Sequence, residues 1–254
     1  MGTMRAQTFI SAASVSLRNA WFERNWSFFP GETVSLLVGA ENTEWLARPS
    51  PEFCFLVDEL PIGPTELADI EWSDVFSPFG AGIIGRYVDA RVVVNTETFA
   101  LHEQPAWLRR VVITNIGSVP VTVSRVAIET LPLSRPNLCA RVEQFARAEE
   151  RILWRSDESA VAVANAEGGW ILGMAQGGAY ALFEPQPDLC TLGTEESRVL
   201  PPGKGWELPE VHAFHFTGAI EEALIRPYAD FLETVRNMRQ WQQERLRASN
   251  EVED

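Results

Sequence analysis

From Thr8 to about Phe216 the chain is a succession of short runs rich in Val, Ile, Thr, Phe and Trp, each cut off by Pro, Gly, Asn or Asp. β-Branched and aromatic side chains suit a pleated, half-buried surface, and turn residues at this spacing leave no room for long helices. The pattern commits the chain to many strands. Candidates are residues 14–20, 33–39, 53–57, 87–97, 108–114, 119–131, 151–154, 160–165, 170–175, 179–184 and 211–216. Residues 61–85 read as a long loop, because Pro61, Gly63, Pro64, Pro78 and Gly80 interrupt them, and long loops in compact domains are often functional.

The period changes only near the end. Leu224, Tyr228, Phe231, Leu232, Val235 and Met238 recur every three or four residues, as on one face of an amphipathic helix. Pro227 is tolerated in a first helical turn but not mid-helix, so the spacing predicts a short helix near 219–225 and a longer one from about 227 to 247. The last residues, Asn250 to Asp254, are expected to fray. Without internal repeats or a low-complexity linker, residues 1–218 read as one β-sandwich. Residues 219–254 are a helical extension packed on it or projecting from it.

The run WLRRVVITNIGSVPVTV, residues 107–123, is the most informative. Alternation sends Trp107, Arg109, Val111 and Ile113 to one face and Leu108, Arg110, Val112 and Thr114 to the other. Asn115-Ile116-Gly117-Ser118 is the pattern of a hairpin turn, with Gly117 able to take a positive φ. On the returning strand Val119, Val121 and Val123 share a face. The apolar positions then shift to Val126 and Ile128, so either a bulge re-aims the strand or both its faces are buried between stacked sheets.

Charge and cysteines narrow the function classes. A net charge of −14 repels a phosphate backbone and argues against nucleic-acid partners. Cys54, Cys139 and Cys190 lack zinc-ligand spacing and read as buried thiols in a reducing compartment. The N-terminal run makes a poor signal peptide, and no segment is long and apolar enough to cross a bilayer. Asn25-Trp26-Ser27 is a sequon with nothing else to support secretion, so a cytoplasmic protein is expected, without membrane association.

No catalytic signature stands out. Gly80-x-Gly82-x-x-Gly85 has dinucleotide-fingerprint spacing, but a strand-like segment follows where a helix N-terminus is required, so it reads as a glycine-rich loop. His212 and His215 would face opposite ways on a strand and share no metal, so neither a metal nor another cofactor is expected. His102, Glu103 and His212 are the candidate acid–base groups, because imidazole titrates near neutrality. Asp69, Glu71 and Asp74 flank Trp72, but the 35 carboxylates of the chain cannot be paired across a sugar bond from sequence. Nine tryptophans are mostly core, while indole faces also suit sugar rings. Trp72 and Trp107, beside polar groups, and Arg110 are the candidate ligand-binding residues.

These residues carry a resemblance. The progression from Tyr87 through His102 and Trp107 to Thr-Asn-Ile-Gly at 114–117, then Val-Pro-Val-Thr-Val at 119–123, resembles the N-terminal β-supersandwich domain of α-galactosidase-type glycoside hydrolases. The segment LPPGKGWELPEVHAFHFTG, residues 200–218, is similar to that domain's closing part. Over residues 10 to about 232 the resemblance implies a mainly β, two-layer antiparallel supersandwich of the galactose-mutarotase-like kind, with C-terminal α-helices. In that family a (β/α)8 barrel follows and supplies the catalytic carboxylates. This chain reads as helix where the barrel would begin, so those residues have no counterpart here. Nor do His102, His212 and His215 reproduce the histidine arrangement of aldose mutarotases.

Three functions follow as expectations. The first is a stand-alone, non-catalytic sandwich that binds a carbohydrate or a separate glycoside hydrolase. The second is a sugar-modifying enzyme, epimerase- or lyase-like, using His102, Glu103 or His212. The third is a structural module that forms a homo-oligomer through exposed edges and its C-terminal helices.

Overall fold

The period-two runs form antiparallel strands in the computed structural model, which describes residues 5–27, 33–38, 43–46, 50, 52–64, 69–132, 138–141, 158–165, 168–175, 179–184 and 189–250. The chain begins with β1 (Gln7–Ile10), β2 (Ser14–Arg18), β3 (Phe22–Ser27), β4 (Thr33–Val38) and β5 (Thr43–Glu44), paired in that order as a five-stranded sheet. It continues through β6 (Cys54–Val57), β7 (Leu60–Ile62), β8 (Asp69–Ser77), β9 (Gly80–Val88), β10 (Val92–Leu101), β11 (Ala106–Asn115), β12 (Val121–Pro132) and β13 (Leu138–Arg141). Then come β14 (Glu158–Asn165), β15 (Gly168–Ala175), β16 (Ala179–Glu184), β17 (Leu189–Thr194), β18 (Arg198–Leu200), β19 (Gly205–Glu207) and β20 (Val211–Thr217). A nine-stranded sheet has the order β13-β14-β15-β20-β11-β10-β9-β8 with β19 added on β11, and a six-stranded one the order β16-β17-β12-β6-β7 with β18 added on β12.

Helices Ile220–Ile225 and Pro227–Asn250 follow, divided where Pro227 required. The long helix turns Tyr228, Phe231, Val235 and Met238 inward against the outer face of the nine-stranded sheet. Ala160, Ala162 and Ala164 of β14 belong to the same layer, and their small side chains let an element approach closely. The main core lies on the sheet's other face and gathers Val15, Leu17, Trp26, Phe55, Val94, Trp107, Ile113 and Val123 from all three sheets. No helix among the described residues is long and apolar enough to cross a membrane.

Three expectations are corrected. Residues 61–85 are not a loop, since β7, β8 and the start of β9 occupy most of them. The glycine motif lies on strand β9, where Gly85 lets neighbours close over the backbone: a Cβ there would stand 2.9 Å from Thr96 Oγ1 and 2.9 Å from the Tyr87 ring. Residues 87–97 are not one strand either. The Asp89 carboxylate accepts the amide of Val92 at 2.9 Å and that of Arg91, turning the chain between β9 and β10.

The third correction concerns the predicted hairpin. β11 belongs to the nine-stranded sheet and β12 to the six-stranded one, so residues 115–120 form a corner between sheets. Asn115 makes it. Its Nδ2 donates to the carbonyls of Val119 and Leu200, both at 2.8 Å, while its Oδ1 accepts the amide of Gly117 at 2.8 Å. A local side-chain bond thus replaces the strand-to-strand turn, and Gly117 needs no positive φ. Further along β12, pairing shifts register between Ser124 and Ala127 and between Ala127 and Glu129, around Arg125 at φ 50°. This is the bulge alternative.

The strand expected at 151–154 and the tail at 251–254 lie outside the described residues. Cys190 is buried as expected, but Cys54 is exposed.

Candidate functional site

β11 divides two polar assemblies between its faces. On the inner face Arg109 reaches Glu52 through Nη2 at 2.9 Å and Glu129 through Nη1 at 3.4 Å. Glu129 also accepts from Arg24 Nη2 of β3 at 2.9 Å, and the side chains of Arg24, Glu129, Arg109 and Glu52 are at most 1% exposed. Tyr87 donates its hydroxyl to Glu52, and Thr96 Oγ1 does so at 3.4 Å. Two guanidinium and two carboxylate groups cancel, which is how charge is tolerated away from water. The Arg24 Nε and Nη1 atoms have no hydrogen-bond acceptor among the described residues. Instead the guanidinium lies over indoles, 5.2 Å from the Trp26 ring centroid and 4.7 Å from that of Trp107.

Sequence reasoning missed this network, although it left a trace. Arg109 already alternates with Trp107, Val111 and Ile113, and Arg24 with Phe22 and Trp26. An arginine at an inward position of an apolar strand face is the signal of a buried partner.

The outer face is covered by the long helix. Arg110 Nε meets Glu210 at 3.2 Å, its Nη2 lies 4.0 Å from Glu207, and Arg239 of the helix closes on Glu210 from above. Beside them Glu97, Phe99, Leu108, Met238 and Gln242 complete a shallow recess of about 10 Å³, room for one water or one hydroxyl group. Burial raises the Glu97 carboxyl above the usual range; the Arg110 charge opposes this and the Glu210 charge adds to it. The recess therefore offers a guanidinium, an amide and a carboxyl beside an apolar wall.

His212 lies on the same face, sealed between β20 and the helix. Its Nε2 is 2.8 Å from the Tyr228 hydroxyl, with the Phe231 ring tilted nearby at 5.5 Å between ring centroids. Burial first, then the charge of Arg239, lowers its pKa to about 3, so the ring is neutral at physiological pH. Gly173 gives it room, since a Cβ there would stand 2.4 Å from Nε2. Three residues on, His215 faces the opposite way, 5.0 Å from the Trp170 ring, and burial lowers its pKa to about 4.

The structure scatters the other candidates. His102 and Glu103 lie in the connection between β10 and β11, with Glu103 exposed. His102 Nδ1 accepts the Ala6 amide at 3.0 Å; burial and the Arg5 charge lower its pKa, against a hydrogen bond from the ring to the backbone of Ser77 and the charge of Glu103. Trp72 is on strand β8 instead of a loop, packed 5.8 Å from Trp26 and 5.7 Å from Tyr87. Trp107 has no exposed surface at all, so it supports the Arg24 guanidinium where a ligand surface was expected. Arg110 alone of the three ligand candidates reaches solvent at a recess. Among the described residues no three His, Cys, Asp or Glu side chains are grouped to hold a metal ion.

With this architecture established, solved structures supply a counterpart. The chain is similar to the GH36 α-galactosidase AgaB from Geobacillus stearothermophilus, at 11% identity and a TM-score of 0.55, over 85% of this chain and 42% of that one. The fold is that of the α-galactosidase β-supersandwich. The galactosidase domain of the α-galactosidase-sucrose kinase AgaSK gives 13% identity and a TM-score of 0.54, over 84% of this chain and 42% of that one. A variant of AgaA from G. stearothermophilus in complex with raffinose gives 10% and 0.50, over 82% and 41%. The chain thus spans about two fifths of the length of these relatives. No family model matches the sequence, and no curated protein matches it.

Proposed function

We infer that the chain is a carbohydrate-associated β-supersandwich that binds a sugar, or a separate glycoside hydrolase, without acid–base chemistry of its own. The observation that supports this reading is the fold it shares with the sandwich of α-galactosidases, and the recess at Arg110, with room for a single hydroxyl group, is the candidate contact point. A sugar is recognised by planar polar groups that share its hydroxyls, set beside apolar surface for its C–H faces. Arg110, Gln242 and Glu97 supply the first and Phe99, Leu108 and Met238 the second. The non-catalytic part rests on the imidazoles. His212 is shut beneath the helix against Tyr228, His102 is held by backbone groups, and His215 is buried against tryptophan. A proton-transferring group must reach substrate, and these rings are committed to the fold.

A glycan array followed by calorimetric titration tests the proposal. Binding to a sugar is expected to weaken at least tenfold in Arg110→Ala with folding intact. If no glycan and no glycoside hydrolase binds, the proposal fails. A turnover abolished by His102→Ala or Glu103→Ala would instead establish the sugar-modifying enzyme.

A further inference from the structure

We propose that the recess at Arg110 selects an amino sugar whose amine is free and protonated, with Glu97 as the residue that receives the ammonium group. The inference rests on the carbohydrate reading above and names the kind of sugar. β10 and β11 pair with Glu97 directly opposite Arg110, on the outer face of the nine-stranded sheet. Arg110 therefore has a carboxylate on either side, and it turns away from Glu97. Its Nε meets Glu210 at 3.2 Å and its Nη2 lies 4.0 Å from Glu207. Arg239 closes on Glu210 as well. The two guanidinium groups are thus matched by Glu207 and Glu210, and Glu97 is the carboxylate left over. Among the described residues no hydrogen bond or salt bridge reaches it.

The complement that Glu97 lacks is a single small cation. A carboxylate withdrawn from water without a partner is costly, burial accordingly raises its pKa, and a cation set against it offsets the cost. The recess of about 10 Å³ admits one water-sized group. A primary ammonium meets both conditions and brings three N–H donors to the Glu97 oxygens. An N-acetylated amine meets neither, since it carries no charge and its acetyl group exceeds the space. A hydroxyl fits but leaves the charge uncompensated, and a uronate or sulfate would set a second negative charge beside Glu97. Phe99, Leu108 and Met238 remain for the C–H face of the ring, and Arg110 and Gln242 for a neighbouring hydroxyl at the rim.

Binding of the full chain to matched glycans tests the proposal: glucosamine and galactosamine oligosaccharides with free amines, their N-acetylated forms, and the parent sugars with a hydroxyl at the same carbon. In titration calorimetry near neutral pH the free amines are expected to bind about tenfold more tightly than either counterpart. Glu97→Gln is expected to abolish that preference. Glu71→Gln, which removes the same charge from an exposed site on β8, is expected to leave it intact. Equal affinity across the set overturns the proposal, as does a preference that survives Glu97→Gln. A preference lost equally in Glu71→Gln also overturns it, by assigning the effect to the negative charge of the whole chain. The comparison of glycans on the wild type decides the matter even where Glu97→Gln fails to fold. Neutral glycans that bind without any preference for amines, and weaken in Arg110→Ala, would sink this inference alone. If no glycan binds, the sugar-binding reading falls with it.

Discussion

Arg109 and Arg110 are neighbours on one strand and meet opposite environments. Arg109 is sealed among Glu52, Glu129 and apolar side chains, with its charge cancelled by fixed partners. Arg110 is 38% exposed and shared between Glu207 and Glu210 at the margin of the helix. Identical side chains one residue apart thus do different work: the inner one specifies how sheets meet, and the outer one stays available to something outside. Pleat alternation alone makes the assignment.

The largest expected effect breaks the inner arrangement. Arg109→Ala leaves buried carboxylates uncompensated and should lower unfolding stability by about 3–5 kcal/mol, read from urea denaturation. Next comes acid. His212 and His215 have pKa values lowered to about 3 and about 4, below the unfolded value near 6.5. Between those limits the unfolded chain binds more protons, so stability is complete above pH 6.5 and falls as pH drops through the window. The loss expected is on the order of 4 kcal/mol for His212, and a shallower pH slope in His212→Phe checks it.

Smaller effects sharpen the outer side. Tyr228→Phe removes the hydroxyl facing His212 Nε2 and should cost about 1–3 kcal/mol, measured by thermal unfolding. Arg110→Ala should cost under about 1 kcal/mol, because its ion pairs are partly solvated. Equal costs for Arg109→Ala and Arg110→Ala would erase the distinction between the two faces.

Much of this fold was legible in the sequence. Period-two runs located strands such as β16, and Pro227 separated the two helices. Sheet membership was not legible, because the run at Asn115–Ser118 suits a hairpin as well as it suits a corner. The choice was made by bonds from Asn115 to Leu200, 85 residues away. Residues 61–85 were misread for a related reason, since glycines that mark turns also mark strands crowded by rings from their neighbours. Of the site, Arg110 was legible as an outward polar residue. The helix that seals His212 was foreseen, but the face it covers is fixed by packing that no local pattern encodes.

The Arg24–Glu129 pair closes a loop of 105 residues. A charge cluster drawn from β3, the segment before β6, β11 and β12 cannot be complete until all four are in place, so a nascent chain carries Arg24 without this partner until Glu129 is made, 105 residues later. Contacts of such long sequence separation slow the approach to the native state to the millisecond-to-second range typical of β-sandwiches. The network that unites the sheets is thereby also a checkpoint in time, passed only after Glu129 has left the ribosome.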